Sequence, residues 1–399
     1  MAADRTLRVA QRQPLAFHAA CPHGLEEALA TELRALGASV VPARGGVGFE
    51  GDLALAYRAN LRSRIASRIL LRLARAPCRD EDELYRIANA IDWTAWFGPG
   101  QTLRVDVTGS RSPLRSLNFA TLRIKDAVVD LVRERTGDRP SIDTRRPDVR
   151  VFAHLDEREA SIYLDLSGEP LFKRGWRQRD DKGEAPLKEN LAAGLLALAG
   201  WQPGLPLLDP FCGSGTILVE AAQIARGIAP GLSRRFGFER LLRFDEALWA
   251  DLRAQAQREM QAARETRPSI SGSDIDPAAI EQARINARRA GLGDDAIALR
   301  VADCRTLEPP GDTPGMIVCN PPYGERIDVA DGDYDATMLA LGRALKTGFG
   351  GWEAWVLSGD RTLPRRLRIR EKRKFPLYNG PIDCRLFGFA LFEPGARVK

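Results

Sequence analysis

The chain holds 399 residues, 44% of them hydrophobic and 28% charged, which fits two or three ordinary globular domains. It has no run near the ~20 consecutive apolar residues of a membrane helix, which excludes an integral helical membrane protein. The net charge of +6 comes from 51 Arg and 8 Lys against 53 acids; arginine favours phosphates and base stacking, so the excess suits an anionic polymer as well as a plain solvated surface.

Six cysteines, Cys21, Cys78, Cys212, Cys304, Cys319 and Cys384, are scattered without a C-x-x-C pair. That argues against a disulfide framework or zinc knuckle and suits a reducing cytoplasm. With three histidines no metal site is expected. Residues 1–12 carry Arg5, Arg8 and Arg12 but no apolar core, so they do not read as a secretory signal.

In chain order, residues 15–20 predict a strand. Over 24–36, Leu25, Leu29, Leu33 and Leu36 share one helical stripe closed by Gly37. Val40–Val41 and Val47–Phe49 then predict a hairpin, completing a small α/β unit over 1–60. A second unit, 61–170, predicts a helix over 62–67, a strand over 69–76, a helix over 81–89 and a strand over 103–108. An amphipathic helix over 117–134 and antiparallel strands over 149–155 and 160–166 follow. The third unit, 171–399, carries its sharp motifs from Gly183 onward. Strands are predicted at 206–208, 269–273, 297–301, 316–319, 354–358, 367–369 and 384–392, alternating with helices. This pattern predicts a mostly parallel α/β sheet whose last strand is antiparallel. A segment of about forty residues, 228–268, with a polar helix over 245–264, reads as an insertion.

Four motifs in this unit carry chemistry. The first is Asp209-Pro210-Phe211-Cys212-Gly213-Ser214-Gly215-Thr216, a strand, a tight glycine turn and a helix. Gly213 and Gly215 let backbone amides approach a ligand at a helix N-terminus. The P-loop pattern is absent, and Leu218 stands where a dinucleotide fingerprint needs a small residue. Asp209 can receive the ammonium of a methionine moiety, which a nicotinamide dinucleotide lacks. The bland reading is a structural turn with a helix cap.

The second motif, Ser273-Asp274-Ile275-Asp276-Pro277, ends a strand and opens a helix. Asp274 or Asp276 can accept from ribose hydroxyls, with Ile275 against an adenine; equally, Asp276 can cap the helix before Pro277. The third, Ala302-Asp303-Cys304, offers a carboxylate to an adenine amine, or is simply an Asp after a strand. The fourth, Asn320-Pro321-Pro322-Tyr323-Gly324-Glu325-Arg326, is the most specific. The lone pair of an exocyclic base amine is delocalised into its ring. Two acceptors, Asn320 Oδ1 and the Pro321 carbonyl, can hold both amine hydrogens and localise it, while Tyr323 stacks on an extruded base.

This motif set resembles the class I Rossmann-fold methyltransferases that act on exocyclic amines. Pro170-Leu-Phe-Lys173-Arg174-Gly-Trp-Arg177, Ala185-Pro186-Leu187-Lys188-Glu189-Asn190 and the N-terminal Cys21-Pro-His-Gly-Leu-Glu-Glu segment resemble THUMP-domain RNA methyltransferases of that class over almost the whole chain. The resemblance implies a ferredoxin-like domain, a THUMP domain and a seven-stranded catalytic domain. It implies S-adenosyl-L-methionine held by Lys188, Asp209, Pro210, Phe211, Cys212, Gly213, Gly215, Thr216, Asp274, Ile275, Asp276, Asp303, Cys304 and Asn320. Catalysis would fall to Asn320, Pro321, Pro322 and Tyr323, with no metal. The family members most like this chain form N2-methylguanine in bacterial 23S rRNA, and some carry a second, C-terminal methyltransferase that is not expected here.

Guanine-N2 enzymes of tRNA and adenine-N6 enzymes of DNA share these motifs, and a non-catalytic RNA-binding assembly factor is a third alternative. Neither Cys212 nor Cys319 is placed to act as the nucleophile that a C5-pyrimidine enzyme needs. Candidate RNA contacts are Lys173 and Arg174, a helix region with Arg111, Arg115, Arg123 and Lys125, and a stretch holding Arg365, Arg366, Arg373 and Lys374. That stretch, 361–374, has eight basic residues and one acid. It precedes the turn signal Tyr378-Asn379-Gly380, and charge on a solvated edge is its bland reading.

Overall fold

The computed structural model describes residues 14–177, 187–322 and 331–393. Arg5, Arg8, Arg12, Gly183, Ala185, Pro186, Tyr323, Gly324, Glu325 and Arg326 lie outside the described residues. Two seven-stranded sheets organise the rest. Among the described residues, no helix is long and apolar enough to cross a membrane.

The first sheet is built from β1 (Leu15–Ala20), β2 (Ser39–Ala43), β3 (Gly46–Gly51), β4 (Arg68–Pro77), β5 (Leu103–Gly109), β6 (Val149–Leu155) and β7 (Glu159–Asp165). Their order is β2-β3-β1-β4-β7-β6-β5. One continuous sheet therefore runs through both N-terminal units, joined where β1 pairs antiparallel with β4. Alternation in β1 and β6 buries Phe17, Ala19, Val151 and Ala153 on one face. The leucine stripe of the helix Glu26–Ala35 covers that side with Leu29 and Leu33. The helix Leu117–Thr136 buries Ala120, Ile124, Val128 and Val132, and Gly137 at φ 81° ends it.

The helix predicted over 62–67 is instead Leu53–Arg62. Asp52 caps it by accepting a 2.8 Å bond from the Leu55 amide. Leu55, Ala56, Tyr57, Ala59, Asn60 and Leu61 are all buried, so this helix lacks the clean polar face by which periodicity reveals a helix.

The second sheet contains β8 (Leu207–Asp209), β9 (Ile270–Asp274), β10 (Ala298–Val301), β11 (Met316–Cys319), β12 (Glu353–Ser358), β13 (Arg373–Asn379) and β14 (Ile382–Ala390). The order is β10-β9-β8-β11-β12-β14-β13. The first five are parallel, and β14 returns antiparallel to β12. Residues 367–369, predicted as a strand, instead end the short helix Leu363–Leu367 and leave it. Its Pro364 sits in the first turn, where the missing amide costs nothing. The seventh strand is β13, joined to β14 by a tight turn at Gly380, φ 62°. Because β8 has β9 on one side and β11 on the other, the chain leaves it in both directions, and a crevice opens at the carboxyl ends of these strands.

The two halves are locked together by buried charge. Glu220, on the helix Thr216–Ala225 after the glycine turn, is fully buried. Its Oε2 accepts from Arg64 Nη1 at 3.0 Å and its Oε1 from Arg174 Nε at 3.1 Å. Arg174 also donates to the Leu171 carbonyl at 2.7 Å and the Arg64 carbonyl at 2.6 Å. The insertion reinforces this contact. Tyr57 stacks on Phe238 at 4.2 Å, and Arg62 meets Glu259 of the helix Glu246–Ala262 through bonds of 2.6 and 3.0 Å.

Breaking one side of this network leaves two buried guanidinium groups without their shared counter-charge. Glu220→Gln should therefore destabilise the protein by about 3–5 kcal/mol, measured by denaturant unfolding. An unchanged midpoint and slope would show that the network is not a structural lock.

Candidate functional site

The crevice is lined by the turns that follow β8, β9, β10 and β11. In the first, the Asp209 Oδ1 accepts from the Phe211 amide at 3.0 Å, and the Cys212 amide donates to the Ser273 carbonyl at 3.0 Å. The Gly213 amide donates to Asp274 Oδ2 at 3.0 Å, so a carboxylate at the end of β9 pins the glycine turn at the end of β8. Gly213 has φ 49°, and a Cβ there would meet nothing within 4 Å, so its exposed side faces open space. Gly215 has φ 81°, and a Cβ would lie 3.0 Å from Ala283 Cβ, which lets the two flanking helices approach. The departure from the dinucleotide pattern also has a physical account. Leu218 is buried, and a Cβ on Gly272 would lie 2.2 Å from its Cδ1. The space a small residue would leave at 218 is here made by a glycine in β9.

In the second turn the helix-cap reading of Asp276 holds. Asp276 caps the helix Pro277–Arg289 by accepting from the Ala278 amide at 2.8 Å, and Asp274 Oδ1 accepts from the Asp276 amide at 3.0 Å. Ile275 is 66% exposed, an apolar surface at the crevice's edge. The Ala302 amide reaches the Asp274 carbonyl at 3.0 Å, bringing the third turn alongside. There Asp303 accepts from the Arg305 amide at 2.8 Å and pairs with its guanidinium at 2.6 Å, while Cys304 is buried.

Asn320 follows β11, and its Oδ1 is buried with no hydrogen-bond partner among the described residues. A buried acceptor left unpaired costs about 1–3 kcal/mol, so this oxygen is suited to a donor from outside the chain. Pro321 is buried beside it and Pro322 is exposed. Asp209 is equally unsatisfied in charge. It is 2% exposed and makes no ion pair among the described residues. Burial, with the Phe211 amide opposing it and the neighbouring Asp274 adding to it, pushes Asp209 up to about 8. A cationic group delivered to this carboxylate would restore its ordinary ionised state. Burial also raises the thiols of Cys212 and Cys319, and holds Cys304 at about 12. None of the three is poised as a thiolate nucleophile.

The sequence motif contained a residue whose role was not assigned. Arg177 donates to the Leu187 carbonyl at 2.9 Å and the Ser214 hydroxyl at 3.4 Å, and also to the Thr216 hydroxyl. It thus ties the segment joining the two halves to both hydroxyls of the glycine turn. Thr216 is buried and its hydroxyl is engaged by this arginine. Pro210 is buried and Phe211 packs on the core beneath β11. Lys188 is exposed at the start of the helix Glu189–Ala199, with its ammonium 5.0 Å over the Phe172 ring.

Among the basic candidates, Arg174 is corrected. At 3% exposure, and bound to Glu220 and two carbonyls, it is a strut between the halves and offers nothing to RNA. Arg111, Arg115, Arg365, Arg373 and Lys374 are exposed. Lys125 pairs with Asp126 at 2.8 Å and Lys173 with Glu169 at 2.5 Å. Arg366 is held by Asp360 at 2.7 Å and also by Asp335. The basic stretch therefore contributes only part of its charge freely.

The raised Asp209 carries a pH signature. Its ordinary value is 3.8 and its folded value about 8. The cost of ionising it is absent below the first and fully present above the second. Asp209→Asn should therefore melt above the parent at pH 8.5, with the gap shrinking as pH falls toward 4. A gap of constant size across that range would refute the buried, unpaired carboxylate.

The comparisons agree with this geometry. Residues 174–387 match the RMKL-like methyltransferase domain, 78–165 the THUMP domain and 16–70 the RlmL ferredoxin-like domain. The ribosomal RNA large subunit methyltransferase K/L of Syntrophotalea carbinolica is 42% identical over 388 residues, covering 95% of this chain and 54% of its own length. The chain thus spans about half the length of that curated relative. The structure of SMU.472 in complex with SAH superposes with a TM-score of 0.86 at 31% identity, covering 98% of this chain and all of that one. A protein of Listeria monocytogenes described as a predicted N6-adenine-specific DNA methylase reaches a TM-score of 0.85 at 31% identity, covering 95% and 97%. With a domain match across more than half of its residues and a likeness to SMU.472 along the full length of both chains, this chain belongs to the RMKL-like methyltransferase family.

Proposed function

We propose that this chain transfers a methyl group from S-adenosyl-L-methionine to the exocyclic N2 of a guanine in 23S rRNA. The observation that carries the reading is the buried, unpartnered Oδ1 of Asn320 at the end of β11. The class of reaction follows from the family. The rRNA substrate is supported by the name of the curated relative and by the THUMP match.

The cofactor's electrophilic sulfonium methyl is what it supplies when bound. The chain's own residues do the rest. Asp209 receives an ammonium and becomes ionised as it does so. Asp274, already fixed by the Gly213 and Asp276 amides, turns its remaining lone pairs to ribose hydroxyls. Ile275 covers an adenine face and Asp303 accepts from the adenine amine. Lys188, Pro210, Phe211, Cys212, Gly215, Thr216, Asp276 and Cys304 shape the same pocket, and Arg177 holds its glycine turn in place. Asn320 Oδ1 and the Pro321 carbonyl each accept one hydrogen of the base amine. This localises the nitrogen lone pair and aims it along the transfer line. Tyr323 stacks on the base, Pro322 shapes the turn, and the surplus proton leaves to water. The rate gain comes mainly from positioning and fixed dipoles. Lys173, Arg365, Arg373 and Lys374 guide the RNA backbone.

A second reading, methylation of adenine N6 in DNA, has one observation in its favour, the likeness to the Listeria protein. Both amines need the same two acceptors. The likeness to the Listeria protein runs through the N-terminal half as well, so the preference for rRNA rests on the name of the 42% identical curated relative together with the THUMP match of residues 78–165. A non-catalytic role is disfavoured because Asp209, Asp274 and Asn320 are all present and set at one crevice.

Asn320→Ala should keep SAH affinity in calorimetry and lose roughly 10²–10³ in single-turnover methyl transfer. Asn320→Asp should retain part of the rate, because a carboxylate still accepts. A folded Asn320→Ala protein with the parent's single-turnover rate would remove the residue from the mechanism.

A further inference from the structure

One surface of the N-terminal half is unlike the rest. From Gly109 to Lys125 the chain carries Arg111, Arg115, Arg123 and Lys125 and no acid. Residues 115–119 are all exposed, and within and beyond them Phe119 and Leu122 each show 49% of their surface. The helix Leu117–Thr136 begins here, with Ser116 accepting from the Phe119 amide at 3.3 Å and no acid in the first turn. Side chains three apart share a helical face, so Phe119 and Leu122 form one exposed stripe of ring and aliphatic wall, and Arg115 stands one residue ahead of the Ser116 cap at its start. Arg123 is drawn aside by Asp82 at 2.7 Å and lies 4.7 Å over Tyr85. Arg111 and Arg115 have no carboxylate within 4.0 Å among the described residues. Arg111 also holds a left-handed backbone at φ 57°, a conformation uncommon outside glycine.

Single exposed apolar side chains are ordinary. A ring and a leucine side by side, flanked by two uncompensated guanidinium groups, are matched to a ligand that is flat and apolar on its faces and anionic along its backbone. Unpaired nucleotides have this chemistry. A duplex does not, because its bases are stacked inside and an exposed ring cannot reach them.

We propose that this stripe holds a single-stranded RNA segment, with one base stacked on the Phe119 ring, Leu122 against its edge, and Arg111 and Arg115 on the neighbouring phosphates. The proposal rests on the RNA reading of the function and adds which surface reads an unpaired strand.

The test uses the full chain and fluorescence anisotropy with a labelled RNA of about 12 nucleotides, within the range one such binding surface spans, presented single-stranded or annealed. Phe119→Ala and Phe119→Leu should each weaken single-strand binding about 5- to 150-fold, with duplex binding and melting temperature unchanged. Phe119→Trp should preserve affinity. Arg115→Gln should reduce the salt slope of single-strand binding by about 0.7, whereas Phe119→Ala should leave that slope alone. Parent affinity in Phe119→Ala overturns the proposal. So does full affinity in Phe119→Leu, which marks an apolar docking patch for a protein partner. If the parent binds neither form of RNA, the RNA reading falls and takes this proposal with it. If the parent binds and the variants match it, only this proposal falls.

Discussion

A folded chain does not readily keep a buried carboxylate without a cation and a buried amide oxygen without a donor. Asp209 and Asn320 are both in that condition, on the adjacent strand ends of β8 and β11. Each costs free energy until a partner arrives. The architecture around them reads as the means of holding that cost in place. The parallel strands bring the two ends together. Asp274 pins the glycine turn from the side, and the β13–β14 hairpin extends the sheet beyond β12.

The same logic links the N-terminal half to the site. The helix after the glycine turn carries Glu220, whose carboxylate is shared by Arg64 from the first half and Arg174 from the connector. Three residues further on, Arg177 grips the hydroxyls at the start of that helix. The surface that would hold RNA and the turn that would hold the cofactor are thus parts of one packed body. The insertion helix adds a second contact through Arg62 and Glu259. A base extruded toward Asn320 would therefore be presented from a fixed direction, which is what catalysis by positioning requires.

Much of this was legible in the residues. Period-two and period-3.6 patterns located most strands and the long helices. The acid–glycine turn, Asp274 and Asn320 stand out in the sequence because the proposed chemistry needs those residue types after buried strands. What escaped was tertiary. The helix Leu53–Arg62 is buried nearly all round, so only the Asp52 cap announced it. The strand assigned to 367–369 was an apolar pair, Leu367 and Ile369, that packs from a short helix and its exit. Arg174 read as a phosphate ligand because charge in sequence does not say which way it points, and its partner Glu220 is 46 residues away. Arg177 was visible in its motif, but its hold on the glycine turn depends on a contact across 39 residues. The pairing of Gly272 with Leu218 could be seen only once the strands were side by side.

The identity of the methylated atom tests the whole account most directly. The purified chain should be incubated with isotopically labelled S-adenosyl-L-methionine and large-subunit rRNA lacking the modification. The RNA is then digested to nucleosides and analysed by mass spectrometry against standards, with duplex DNA treated in parallel. The account predicts label in N2-methylguanosine from the rRNA and none in DNA. Label in N6-methyladenine from the DNA, with the rRNA unmodified, would contradict it.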